Sequence, residues 1–171
     1  MYVSRRYRLT FDAMLIPRLA IGFLLAAIAH EGAHAAVAAL LRFRIDAFAV
    51  WPLRIYRGPA AWRAGWIRPW SAMGFISIAH GGARRARMRE FAVVAAGPLA
   101  SALMAAGCSI AIGAMGRQAK WVLDQLFLVA LWSVLSAVGG LLPGGANQPV
   151  SDGTRLWQLI TRRSPASPTG S

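Results

Sequence analysis

The segment His30-Glu31-Gly32-Ala33-His34 carries the clearest chemistry in this chain. On a helix, histidines at i and i+4 share one face about a turn apart, so both imidazoles reach a single zinc ion. The glutamate between them then lies beside the metal. There it takes a proton from a water that the metal activates, the part of a general base in hydrolysis. The competing explanation is a chance grouping whose side chains satisfy one another inside a helix bundle. The surroundings argue against it, because the motif sits within a long apolar run, and ionisable groups inside a membrane span are costly and mark functional sites. Two of the three histidines in the chain belong to this motif.

Three stretches are long enough to form the elements that position it, since a helix needs roughly 20 apolar residues to cross a hydrocarbon core. They run from about Met14 to Leu41, Phe91 to Met115 and Trp121 to Leu142. The first is much longer than the ~7 to 15 apolar residues of a signal peptide, so it is expected to be a retained span despite the Arg5-Arg6-Arg8 cluster before it. Arg18 is expected to snorkel outward from its start. A chain of 171 residues with 57% hydrophobic content fits one integral membrane domain. The single cysteine, Cys108, excludes an intrachain disulfide and reads as a small packed side chain.

The formal charge of +13 raises the question of nucleic acid, yet the arginines flank apolar segments and no nucleic-acid motif accompanies them. Anionic lipid headgroups and the positive-inside bias account for them, so no nucleic-acid partner is expected. The segment from Arg42 to Glu90 carries ten arginines and the tail adds Arg155, Arg162 and Arg163, against five basic residues on the other side. This orientation puts the N-terminus outside and the tail inside. The histidine pair then lies nearer the cytoplasmic face, and Ala96-Gly97-Pro98-Leu99 at about the same depth. A proline near a helix start is tolerated, and glycine permits close helix approach.

The connection 42–90 approaches period-two alternation over Phe43 to Trp51 and Leu53 to Tyr56, with a turn at Gly58-Pro59, and predicts a small membrane-associated β-structure. Met73 to Ala79 is a candidate further strand, whose edge would pair with an extended substrate. Trp51, Trp62, Trp66 and Trp70 suit an interfacial belt.

A catalytic zinc site takes three protein ligands and keeps a position open. With six acidic residues in the chain, elimination narrows the third ligand. Glu31 is the base, while Asp12 and Asp124 fall at the far ends of their spans. Asp46 and Glu90 adjoin arginines and read as solvated charges. Asp152 remains, in an irregular segment after the third span, with His80 as the competing candidate.

These residues resemble the site-2 protease family of intramembrane zinc metalloproteases. The resemblance rests on His30-Glu31-Gly32-Ala33-His34 in the first span, Ala96-Gly97-Pro98-Leu99-Ala100 opening the second, and Leu141-Leu142-Pro143 with Ser151-Asp152-Gly153 after the third. It implies a mainly α, three-helix core, zinc held by His30, His34 and Asp152, and Glu31 as the base. Two features depart from the family pattern. Gly140 stands where the family commonly has asparagine, and the interval from Pro143 to Asp152 is longer than usual. Asn147 is a candidate replacement for that asparagine; with Gly97 and Pro98 it completes the set of candidate substrate or oxyanion contacts.

The expectation is therefore a single intramembrane metalloprotease domain over 1–163 with a flexible tail over 164–171. It would be a zinc-dependent endopeptidase that cuts transmembrane protein or peptide substrates. Its expected location is a bacterial inner membrane, with the site toward the cytoplasmic side and a role in regulated intramembrane proteolysis. The alternative is a zinc-binding, non-hydrolytic membrane regulatory or binding protein.

Overall fold

The computed structural model describes residues 14–67, 74–78, 84–115, 120–142 and 151–161. It is mostly helical, with helix α1 over Leu15–Leu40, strands β1 to β4 over Ile45–Val50, Leu53–Arg57, Trp62–Trp66 and Gly74–Ile78, and helices α2 over Arg84–Met115, α3 over Lys120–Leu141 and α4 over Asp152–Thr161. Candidate spans Leu15–Leu40, Arg87–Met115 and Lys120–Leu141 are long and apolar enough to cross a membrane. The outward faces of this bundle are apolar. Leu103 and Ile110 on α2 are 72% and 73% exposed, which is compatible with a membrane setting.

Small residues let the helices approach. Ala26, Ala27, Ser101, Ala105 and Ser133 are all buried. A side chain at Gly22 would press on Leu128 and Trp132 of α3, with its Cβ 3.1 Å from Leu128 Cβ. At that end of the bundle Arg18 pairs with Asp124 at 3.5 Å, so Arg18 holds α3 as well as marking the start of α1. Gly22 against Leu128 and His30 beside Gly140 make α1 and α3 parallel, whereas α2 runs the other way, with Ser101 at His30 and Val93 at His34.

Helix α1 ends in a paired-carbonyl cap. Phe43 N–H donates to Ala38 O at 2.8 Å and Arg42 N–H to Ala39 O at 2.9 Å, with Arg42 at φ 58°. The turn drives the chain back over the bundle, where Phe43, Ile45 and Ile76 pack with buried Ala38, Ile78 and Val93.

The sheet between α1 and α2 is antiparallel with strand order β3-β2-β1-β4. Gly58 N–H closes the β2–β3 turn onto Ala61 O at 2.8 Å, where Gly58-Pro59 predicts it. Strand β3 is not among the expected strands. Its Trp62-Arg63-Ala64-Gly65-Trp66 has weak strand propensity and forms through pairing with β2. Register puts Leu53, Ile55 and Trp66 on one face and Arg54, Tyr56 and Arg63 on the other.

Two expectations about the helices need correction. Helix α2 begins at Arg84, so Pro98 lies deep inside it rather than near its start. The segment after the third span is not all irregular, because Asp152 heads the ten-residue helix α4.

Candidate metal centre

Positions 30 and 34 of α1 turn both histidine side chains into the bundle, where His30 is 8% and His34 4% exposed. Their outer nitrogens are held by α2. His34 Nδ1 donates to the Val93 carbonyl at 2.7 Å, and His30 Nδ1 bonds the hydroxyl of buried Ser101 at 2.8 Å. A carbonyl only accepts, so His34 carries its hydrogen on Nδ1, and in the neutral ring Nε2 is left with a lone pair. Such outer bonds fix the orientation of metal-ligating histidines.

The inner nitrogens converge on Asp152. Its Oδ2 lies 3.1 Å from His30 Nε2 and 3.4 Å from His34 Nε2. One ligand atom from each residue falls within 4.8 Å of the others, so this trio can hold a metal ion. A neutral imidazole lone pair facing a carboxylate oxygen is repulsive unless a proton or a cation lies between them. Two imidazoles and one carboxylate are also a donor set suited to zinc.

Gly97 lets both imidazoles lie against the backbone of α2. A Cβ there would lie 2.1 Å from His34 Nε2 and 2.8 Å from His30 Nε2, so any side chain would displace the rings. With this donor set, the residues present fit a metal. Pro98, next in the chain, is buried and offers no N–H to the Val94 carbonyl; its ring loosens the turn beside the Val93 carbonyl that takes His34.

Asp152 reaches the histidines because α4 packs closely on the end of α3. A Cβ at Gly153 would meet Leu141 O at 1.9 Å, which explains a glycine directly after the acid. Ser151 caps α4, accepting the Thr154 N–H at 3.2 Å and donating to Leu142 O at 2.6 Å. Burial alone would raise the Asp152 carboxyl. With no metal bound and a proton on Nε2 of each ring, hydrogen bonds from His30 and His34, and then their charges, outweigh it and hold the group at about 2.

Comparison of this chain with protein-family models, curated proteins and solved structures returned no match.

Glu31 lies in the same turn of α1 and against the first residue of β4: a Cβ at Gly74 would come within 2.6 Å of Glu31 Oε1. It is also within electrostatic reach of His30, His34 and Asp152. Gly140 borders the site from α3, where a Cβ would sit 3.4 Å from Asp152 Oδ2 and 3.6 Å from His30 Cε1. Asn147 and His80 lie outside the described residues, as does Asp12.

Glu90 is not a solvated charge. Its Oε1 accepts from Arg155 Nη2 at 2.9 Å and Nε at 3.1 Å, and its side chain is only 16% exposed. Asp46 does pair with neighbouring Arg44 at the surface. Sequence reasoning also missed Ser101, Val93 and Gly74. A buried serine one turn after Gly97 carried a faint signal, whereas a backbone carbonyl and an approaching strand carried none.

Proposed function

We propose that this chain is a zinc-dependent intramembrane endopeptidase of the site-2 protease kind, which hydrolyses peptide bonds in or next to transmembrane segments. The observation that supports it best is the convergence of Asp152 on His30 and His34 across 122 residues of sequence, with Glu31 in the same helical turn. His30, His34 and Asp152 would hold the ion. Zinc bound there would supply Lewis acidity toward water and the scissile carbonyl.

The chain's own groups have defined tasks in this reaction. Glu31 accepts the proton of the attacking water at its carboxylate and returns it to the leaving amine nitrogen. Val93 O and the Ser101 hydroxyl keep both imidazoles facing inward. Strand β4 ends the sheet beside Glu31, and an extended peptide added to its outer edge would pass the site. A helical substrate hides its carbonyls in internal hydrogen bonds, so substrates should contain glycine, proline or other residues that loosen a helix. A bacterial inner membrane rich in anionic lipid, with the site toward the cytoplasm, agrees with the arginine distribution.

The test is cleavage of a reconstituted panel of single-span substrates by the unaltered chain and by Glu31→Gln. Cleavage should vanish in the variant while its zinc content stays at that of the unaltered chain. Turnover by Glu31→Gln would eliminate the assigned base.

One observation favours a non-hydrolytic zinc-binding protein instead. Gly140 leaves the border of the site without a polar side chain to orient a carbonyl. Full zinc occupancy with no cleavage across the panel would select that reading.

A further inference from the structure

We infer that the Glu90–Arg155 ion pair is a positioning device that sets Asp152 against the two histidines, an inference that rests on reading these residues as a metal centre. Asp152 belongs to a helix of ten residues, and helices so short are marginal unless tertiary contacts hold them. Helix α2 supplies such contacts at both ends of α4. Near its start Arg155, one turn beyond Asp152, places Nη2 and Nε at 2.9 and 3.1 Å from Glu90 Oε1. At its end the Arg87 guanidinium donates to the carbonyls of Leu159 at 2.5 Å and Ile160 at 3.1 Å, which a helix C-terminus leaves unpaired.

Glu90 continues a single stripe of α2. Positions 90, 93, 97 and 101 are spaced by three and four residues and therefore share one helix face. Glu90 engages the helix that carries Asp152, the Val93 carbonyl takes His34, Gly97 admits both imidazoles against its backbone, and Ser101 takes His30. Helix α2 donates none of the three proposed ligands, yet one stripe on it aligns all of them. Burial of the Glu90 side chain limits screening of its bond to Arg155. Arg155 ties the start of the Asp152 helix to α2, adding to the packing of Gly153 on Leu141, so loss of the pair should let Asp152 move from the histidines.

The experiment measures Zn2+ affinity by competition, and the visible spectrum of the Co2+ form, for the full chain in detergent. Arg155→Met and Glu90→Gln are each made in the unaltered chain and in an Asp152→Ala background. Losing a group bonded directly to a metal ligand weakens binding by about 10- to 100-fold. The ion pair acts on Asp152 through the helix, so each single change should weaken binding by up to about 10-fold and shift the Co2+ spectrum, the double change should be no weaker than either single, and Arg155→Lys should recover part of the loss. In the Asp152→Ala background neither change should weaken binding further. Unchanged affinity in Arg155→Met, or an equal loss in the Asp152→Ala background, would overturn the inference.

A second measurement needs neither metal nor substrate. Ring 15N signals of His30 and His34 in the metal-free chain should move in Arg155→Met as they do in Asp152→Ala; unmoved signals would reject the positioning role. If the unaltered chain bound neither Zn2+ nor Co2+, the metal centre would fall while these signals still decide the ion pair.

Discussion

Gly97 faces His34 so closely that a Cβ on it would stand 2.1 Å from His34 Nε2. No side chain can approach that near, so an added methyl must push the imidazoles off α2 and away from Asp152. Gly97→Ala should therefore abolish zinc binding while improving the intrinsic helix propensity of α2 by up to about 1 kcal/mol. Metal content and far-ultraviolet circular dichroism of the purified variant test this. Bound zinc at full stoichiometry would show that the imidazoles do not depend on this close approach.

Gly153 and Gly32 form a contrasting pair. A Cβ at Gly153 would meet the Leu141 carbonyl oxygen at 1.9 Å, whereas one at Gly32 would meet nothing within 4 Å. Gly153→Ala must push α4 off the end of α3, costing roughly 1–3 kcal/mol of stability, and should weaken zinc binding because Asp152 moves with the helix. Gly32→Ala should bind zinc normally and gain a few tenths to about 1 kcal/mol in helix α1. Unfolding in mixed micelles and zinc titration of both variants measure the contrast.

Asp152 makes the metal-free chain sensitive to acid. Its folded value of about 2 lies below the ordinary 3.8, so the folded chain takes up that proton less readily than the unfolded chain. The resulting stabilisation, about 2 kcal/mol, is fully present above pH ~4, declines as pH falls, and is gone below about 2. Asp152→Asn should remove this portion of the acid dependence and leave the two chains nearly equal in stability at the acid end. Denaturant midpoints across pH 2 to 6 in the presence of a chelator report it. A variant whose midpoint still fell in parallel with the unaltered chain would assign the loss to other groups.

At the end of α1, Arg42 holds φ at 58°, a left-handed backbone that costs a residue with a side chain about 1 kcal/mol relative to glycine. Arg42→Gly should therefore stabilise the chain by roughly 0.5–1 kcal/mol without changing zinc content. An increase in thermal midpoint in the same detergent is the expected result. A decrease would mean that the guanidinium contributes more than the backbone strain costs.

Parts of the centre were legible before any folding. The histidines at 30 and 34 share a face by helical geometry alone, and an apolar run long enough to span a bilayer fixes them in a helix. Scarcity made Asp152 traceable, because few acids were available and most lay at the wrong end of a span or beside arginines. Glu90 was misread for that last reason: neighbouring arginines in sequence suggested a solvated charge, while its partner Arg155 lies 65 residues away. Pro98 reads as near a helix start because the apolar run begins at Phe91, but α2 begins at Arg84 among arginines that hydropathy assigns to the connection.

The sequence by itself determined local periodicity: three apolar helices, alternating strands after the first, and two imidazoles one turn apart. These follow from backbone geometry and the spacing of side-chain types within a few turns. Tertiary structure alone decided that the Val93 carbonyl and Ser101 aim the imidazoles inward. It also decided that Gly97 admits the imidazoles against α2, Gly74 lies against Glu31 and Gly153 lets α4 meet α3. A carbonyl is present at every position and a glycine leaves only an absence. Their roles arise from what another element brings against them, and no pattern along one chain segment encodes that approach.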